Sequence, residues 1–170
     1  MTIWAMMTMA HVKIDIPLPK TANIDREAIA DAIIETIVER TQQKSINKDG
    51  RKFPGYSKAY RESLDFELAG KTEKVNLTMT GDMLAALEPL AIKSNKLTIG
   101  FDPESEENDK AEGNITGSYG GDPQPKRARN FMGLPAKALA KIIAEYSDLT
   151  QYKAYEFVKA NYDNTQSERI

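Results

Sequence analysis

Apolar side chains recur along this chain with two periods, separated by stretches that have none. In AHVKIDIPL, residues 10 to 18, Ala10, Val12, Ile14, Ile16 and Leu18 alternate with His11, Lys13 and Asp15. A period of two puts the first set on one face of a half-buried strand. Pro17 has no N–H to give to a neighbour, which predicts a place at a sheet edge. From about Ile24 to Gln43 the period becomes helical. Glu27, Asp31, Glu35 and Glu39 form a polar ridge at a spacing of four, while Ile29, Ala30, Ile33, Ile34, Ile37 and Val38 fill much of the rest. Asn23 or Asp25 is positioned to cap the free N–H groups. An apolar arc this wide exceeds what one sheet face covers, so a second element or a second subunit is expected against it, with Ile34 and Val38 as interface candidates.

Periodicity vanishes over 44–57, KSINKDGRKFPGYS, where Asp49-Gly50 and Pro54-Gly55 mark turns. This predicts a loop longer than a compact domain usually carries. Ser57 caps a predicted helix through Tyr60, Leu64 and Leu68 to Gly70. VNLTM, residues 75 to 79, reads as extended, and Thr80 caps a brief helix, GDMLAAL, that Pro89 stops. LAIK and KLTIGF, joined by Ser94-Asn95, predict a β-hairpin that extends the sheet begun by the first strand. Residues 102–130 have no period and read as a second long loop. Pro135 suits a first helical residue, followed by a stripe of Leu139, Ile142, Ile143 and Tyr146. A last helix from Thr150 to Tyr162 lines up Tyr152, Tyr155 and Tyr162. The expected class is α+β: a small antiparallel sheet packed against one long helix, with a C-terminal helical pair and two long irregular loops. All 170 residues are read as a single domain, with an N-terminal tail over 1–9 and a frayed end over 163–170.

Composition narrows the chemistry. The chain has 23 basic and 25 acidic residues, a formal net charge of −2, and no cysteine. No global field exists to hold a polyanion, and disulfides, thiolate metal sites and cysteine nucleophiles are excluded. MTIWAMMTMA carries no early Lys or Arg and is too short to span a bilayer, so no membrane partner is expected. His11, the one histidine, has no convergent partners nearby and reads as an exposed strand residue. No G-x-S-x-G elbow and no glycine-rich phosphate loop occurs. DPESEENDKAE, residues 102 to 112, lacks the turn glycine and closing Glu of a calcium loop and reads as a solvated acidic loop. Neither an enzyme nor a cofactor is expected.

Two basic-aromatic clusters remain. One holds Lys48, Arg51, Lys52, Phe53, Tyr56, Lys58, Tyr60 and Arg61. The other holds Lys126, Arg127, Arg129 and Phe131, just before a helix. Such mixtures suit a protein interface or a nucleic-acid backbone with base stacking. Residues 102–112 carry six acidic residues to one lysine, while 126–129 carry three basic ones. Opposite patches on one chain favour association between copies. The interface candidates are therefore Arg51, Phe53, Tyr56, Tyr60, Lys126, Arg127, Arg129 and Phe131, with Phe131 expected to fill an apolar pocket of a partner. The alternative is a DNA-binding accessory protein that uses both basic-aromatic loops as a clamp.

The ordered series KDGRKFPGYSKAY, VNLTMTGDMLAAL, a hairpin ending LTIGF, then KAEGNITG and RNFMGLP resembles the phage virion morphogenesis family, the tail-completion or neck proteins of Mu-like tailed phages. The resemblance covers about residues 45 to 146. Its most telling pieces are L-T-x-T-G-x-M-L at Leu77 to Leu84 and R-x-F-x-G-L at Arg129 to Leu134. Pro135 departs from it, standing where relatives commonly carry a capping Ser or Thr. The resemblance implies a structural, non-enzymatic subunit of the head-tail joint. Such a subunit forms a ring, with six copies expected, around the channel through which genomic DNA passes without being tightly held. Connector and tail-tube proteins would be its partners, and the virion its location after assembly in the host cytoplasm.

Overall fold

A computed structural model describes residues 10–20, 23–71, 75, 77, 82–118 and 122–162. Its sheet has three antiparallel strands in the order β1 (Lys13–Pro17), β3 (Lys96–Gly100), β2 (Glu88–Ile92). Register is set by the apolar alternation. Ile14 faces Ile99 and Ile16 faces Leu97, so all four land on one buried face. Both prolines sit where a missing N–H is tolerated: Pro17 in the edge strand β1, and Pro89 in the opposite edge strand, where the register shifts between Pro89 and Ala91. The hairpin turn at Ser94 and Asn95 is the one expected. Pro89 belongs to a strand rather than ending a helix, since α4 (Asp82–Ala85) stops before it.

The long helix α1 (Arg26–Glu39) is capped by Asp25, whose carboxylate accepts from the Ala28 N–H at 3.1 Å. It ends in a π-helical turn over Arg40–Lys44. Its four-spaced acidic ridge is exposed, while Ile29, Ala30, Ile33 and Ile37 are buried against β2, β3 and α6 (Ala136–Glu145). The second partner for the wide arc is therefore α6 of the same chain. Ile34 and Val38 are half-buried and pack against the core. Helix α6 pairs closely with α7 (Gln151–Asn161), capped by Thr150. The Asp25 N–H donates to the Tyr146 carbonyl at 2.9 Å and the Asp148 N–H to the Asn23 carbonyl at 3.1 Å, tying the end of α6 to the start of α1. Pro135 stands one residue ahead of α6, in the capping position, and contributes no side-chain bond.

The second expected loop, 102–130, is largely ordered structure. Glu106–Thr116 forms helix α5, and Pro125–Arg127 a 3-10 turn. The acidic run is the reason, since Ser105 caps the helix while Glu106, Glu107 and Asp109 meet the positive end of its dipole. The apolar signal is sparse, which hides the helix from a search for periodicity. Asn108, Ala111 and Ile115 form the buried stripe, and Asn108 is fully buried. Its amide oxygen accepts from the Val12 N–H at 2.8 Å and its amide nitrogen donates to the Ala10 carbonyl at 3.0 Å, so α5 closes the backbone just ahead of β1. His11 donates from Nε2 to the Phe101 carbonyl at 2.6 Å and is half-buried, a structural role in place of the expected exposed one. Ser57 and Ser63 cap two short helices, α2 (Lys58–Arg61) and α3 (Leu64–Leu68), where one continuous helix was expected. The expected N-terminal tail, C-terminal fray and Thr80 cap lie outside the described residues. So do most of VNLTM and residues 78–81 of the Leu77–Leu84 motif.

Candidate functional site

The segment after α1 folds back on itself before it reaches the aromatics. Asn47 organises the turn: its side-chain oxygen accepts from the N–H groups of Asp49 at 3.0 Å and Arg51 at 2.9 Å. The Phe53 N–H returns to the Ser45 carbonyl at 3.0 Å, and Phe53 plugs into the core with 8% of its surface exposed. The Lys48 N–H donates to the Asn130 carbonyl at 2.9 Å. That bond brings together the two basic-aromatic clusters, which are far apart in the chain.

Arg129 fastens the junction. Its Nε donates to the Pro54 carbonyl and its Nη2 to the Gly55 carbonyl, each at 3.2 Å, and the guanidinium carbon lies 5.1 Å from the centre of the Tyr56 ring. The planar fork of an arginine serves two carbonyls and a ring face at once. Beyond it, residues 56–71 form an arm with an aromatic centre of its own. Ring centroids are 5.3 Å apart for Tyr56 and Tyr60, 5.7 Å for Tyr56 and Phe66, and 5.4 Å for Tyr60 and Phe66. These are tilted and edge-on geometries, which favour ring pairs. Lys71 donates from Nζ to the Tyr56 hydroxyl at 3.1 Å and lies 5.2 Å from that ring's centre. Burial, with Tyr56 and Asp65 adding to it, pushes the Tyr60 phenol above its ordinary range, while Arg129 pulls the other way. On the outside of this arm Leu64 and Leu68, one helical turn apart, are 66% and 76% exposed.

The expected interface residues therefore divide. Arg51 is exposed on the turn, and Lys126 and Arg127 are exposed on the 3-10 turn. Tyr56 and Tyr60 are half-buried within the arm, and Arg129, an expected interface residue, is half-buried as its fastener and spends its donors on carbonyls of its own chain. Phe53 and Phe131 belong to the core. Phe131 is 2% exposed and meets Phe101 edge-on at 6.3 Å, so it cannot fill a partner's pocket. Its position directly after a basic stretch imitates an exposed anchor, but the chain turns inward at Asn130. Ile34 and Val38 contribute at most a partial face.

Phe66, Lys71, Leu64 and Leu68 escaped the expectation. The spacing of Tyr56, Tyr60 and Phe66 was the available signal for an aromatic centre, and it matches no regular period. Among the described residues no group of three or more acidic or histidine side chains is arranged to hold a metal, and no helix is long and apolar enough to cross a membrane. No protein-family model, curated protein or solved structure matches this chain.

Proposed function

We propose that this chain is a structural, non-enzymatic subunit of a tailed-phage neck. It assembles as a ring, most simply of six copies, between connector and tail-tube proteins in the virion. The observation that carries the reading is the arm over 56–71. It spends three aromatic rings and an arginine fastener on presenting two leucines to solvent, a costly arrangement for a chain with no use for them. The ordered motif series from KDGRKFPGYSKAY to RNFMGLP supports the phage assignment. Near-neutral charge supports a channel lining that lets DNA pass, because each neutralised phosphate adds counterion-release affinity.

The test is complementation of a phage lacking the gene. The double variant Leu64→Asp/Leu68→Asp should keep the wild-type circular dichroism and melting temperature, since both side chains stand in water. It should nevertheless leave filled heads and finished tails unjoined in electron micrographs. Normal yields of joined, infectious particles would remove the arm from the proposed role. Tight duplex binding by the purified wild-type chain, falling steeply with salt and abolished by Lys126→Glu/Arg127→Glu, would replace the neck assignment with a DNA-binding one.

A further inference from the structure

We infer that the arm of one copy docks on the hairpin end of a second copy, a head-to-tail contact between two different surfaces. This rests on the ring reading above and names the contact that would build the ring. Four large apolar residues stand exposed among the described residues: Leu64, Leu68, Ile92 and Tyr152. The first two share α3 with Asp65 and Glu67, both exposed, so the leucine pair has an acidic border. Ile92, 42% exposed, ends β2 at the hairpin turn, and its surroundings are basic. Lys93 follows it, and Lys96 opens β3. Lys20 lies close by, because the Leu18 N–H donates to the Asn95 carbonyl at 2.9 Å. Lys20, Lys93 and Lys96 enter no ion pair among the described residues. An apolar spot bordered by carboxylates and an apolar spot bordered by ammonium groups are complementary in both respects, and each patch repels a copy of itself.

Their placement makes the contact open-ended. Arg26, at the first turn of α1, donates from Nη2 to the Ser94 carbonyl at 2.8 Å, which fixes the hairpin turn to that end of the helix. The arm leaves from the other end, beyond the π-helical turn, where the Ile46 N–H donates to the Arg40 carbonyl at 3.2 Å and the Phe53 N–H to the Ser45 carbonyl. The 14 residues of α1 alone separate the two by about 21 Å. Two complementary patches at opposite ends of one rigid helix cannot satisfy each other within a copy. They join successive copies, and the series closes into a ring when the rotation between copies allows.

The experiment uses the full chain in sedimentation velocity across a concentration series. The wild type should self-associate, and the half-assembly concentration should rise at least about tenfold on going from low to high salt. Asp65→Lys/Glu67→Lys and Lys93→Glu/Lys96→Glu should each be monomeric and unchanged in melting temperature. Mixed with each other, these two variants should assemble again as alternating copies, because each arm then meets a hairpin end of opposite charge. All four changes in one chain should restore assembly, with the charges exchanged. A wild type that stays monomeric throughout, or variants that assemble as the wild type does, would overturn this contact. In the second case the ring reading survives and another surface builds it. In the first, the neck assignment still stands or falls on the complementation result.

Discussion

Removing the Arg129 guanidinium deletes two hydrogen bonds and a ring contact together, yet the groups it leaves behind are near solvent. Arg129→Ala should therefore cost the whole molecule only about 1 kcal/mol. Hydrogen exchange over residues 54–71 should meanwhile accelerate about tenfold, with the sheet amides unchanged. Arg129→Lys should not restore protection, since an ammonium cannot span the Pro54 and Gly55 carbonyls in one plane. Glu112 ties stability to pH. Its Oε2 is buried without a hydrogen-bond partner, and burial, helped by nearby Asp109, raises its carboxyl above the ordinary value of 4.5, against a bond from the Ala10 backbone. The folded chain thus holds the proton more tightly than the unfolded chain. The stability linked to Glu112 is complete below pH 4.5 and is lost as pH rises through the folded value. Glu112→Gln should melt with the wild type below pH 4.5 and above it at neutral pH, as scanning calorimetry would show.

At the scale of elements, α5 marks where pattern reading meets its limit. Periodicity detects helices that bury a broad apolar stripe, and α5 buries a narrow one built from Asn108, Ala111, Gly113 and Ile115. What makes it a helix is end chemistry, an N-cap serine with acidic residues behind it and a glycine to close. Gly117 ends α5 in a left-handed conformation, φ +73°, and the chain returning through residues 124–128 passes directly over it. A Cβ there would press on the Gln124 carbonyl and the Ala128 N–H, beyond the backbone strain itself. Gly117→Ala should accordingly lower stability by about 2 kcal/mol or more in urea unfolding, and should raise exchange over 122–129, including the exposed Lys126 and Arg127. The arm differs from α5 in kind, because α2 and α3 have no fully buried residue and depend on ring contacts and serine caps. It should be the first described segment to exchange.

Across the whole molecule, the second partner expected for α1 is an element of the same chain, since α6 covers the arc that the sheet leaves. Surplus apolar surface sits instead on the arm and at the hairpin end. That relocation changes what self-association should look like. A contact through a buried-type helix face would be strong and nearly independent of salt, whereas small apolar spots with charged borders give a weak contact that screening dissolves. In light scattering at fixed concentration, assembly should accordingly fall off over the range from tens to hundreds of millimolar salt.

The sequence alone carried the α+β class, the edge position of Pro17, the hairpin at Ser94-Asn95, the Ser57 cap and the choice of Asn23 or Asp25 as the cap of α1. Each follows from local rules: side-chain period, a missing N–H, a hydroxyl or carboxylate beside free amides. It also singled out Arg129, Tyr56 and Tyr60 as residues of interest. Packing between distant segments settles that Arg129 reaches its own chain, that Phe131 and Phe53 turn inward, and that Leu64, Leu68 and Ile92 remain in water. Those outcomes depend on which distant segments meet. The pairing of Lys48 with Asn130 and of Asn108 with the backbone before β1 joins residues with no shared local signal, so burial there is a property of the packed chain.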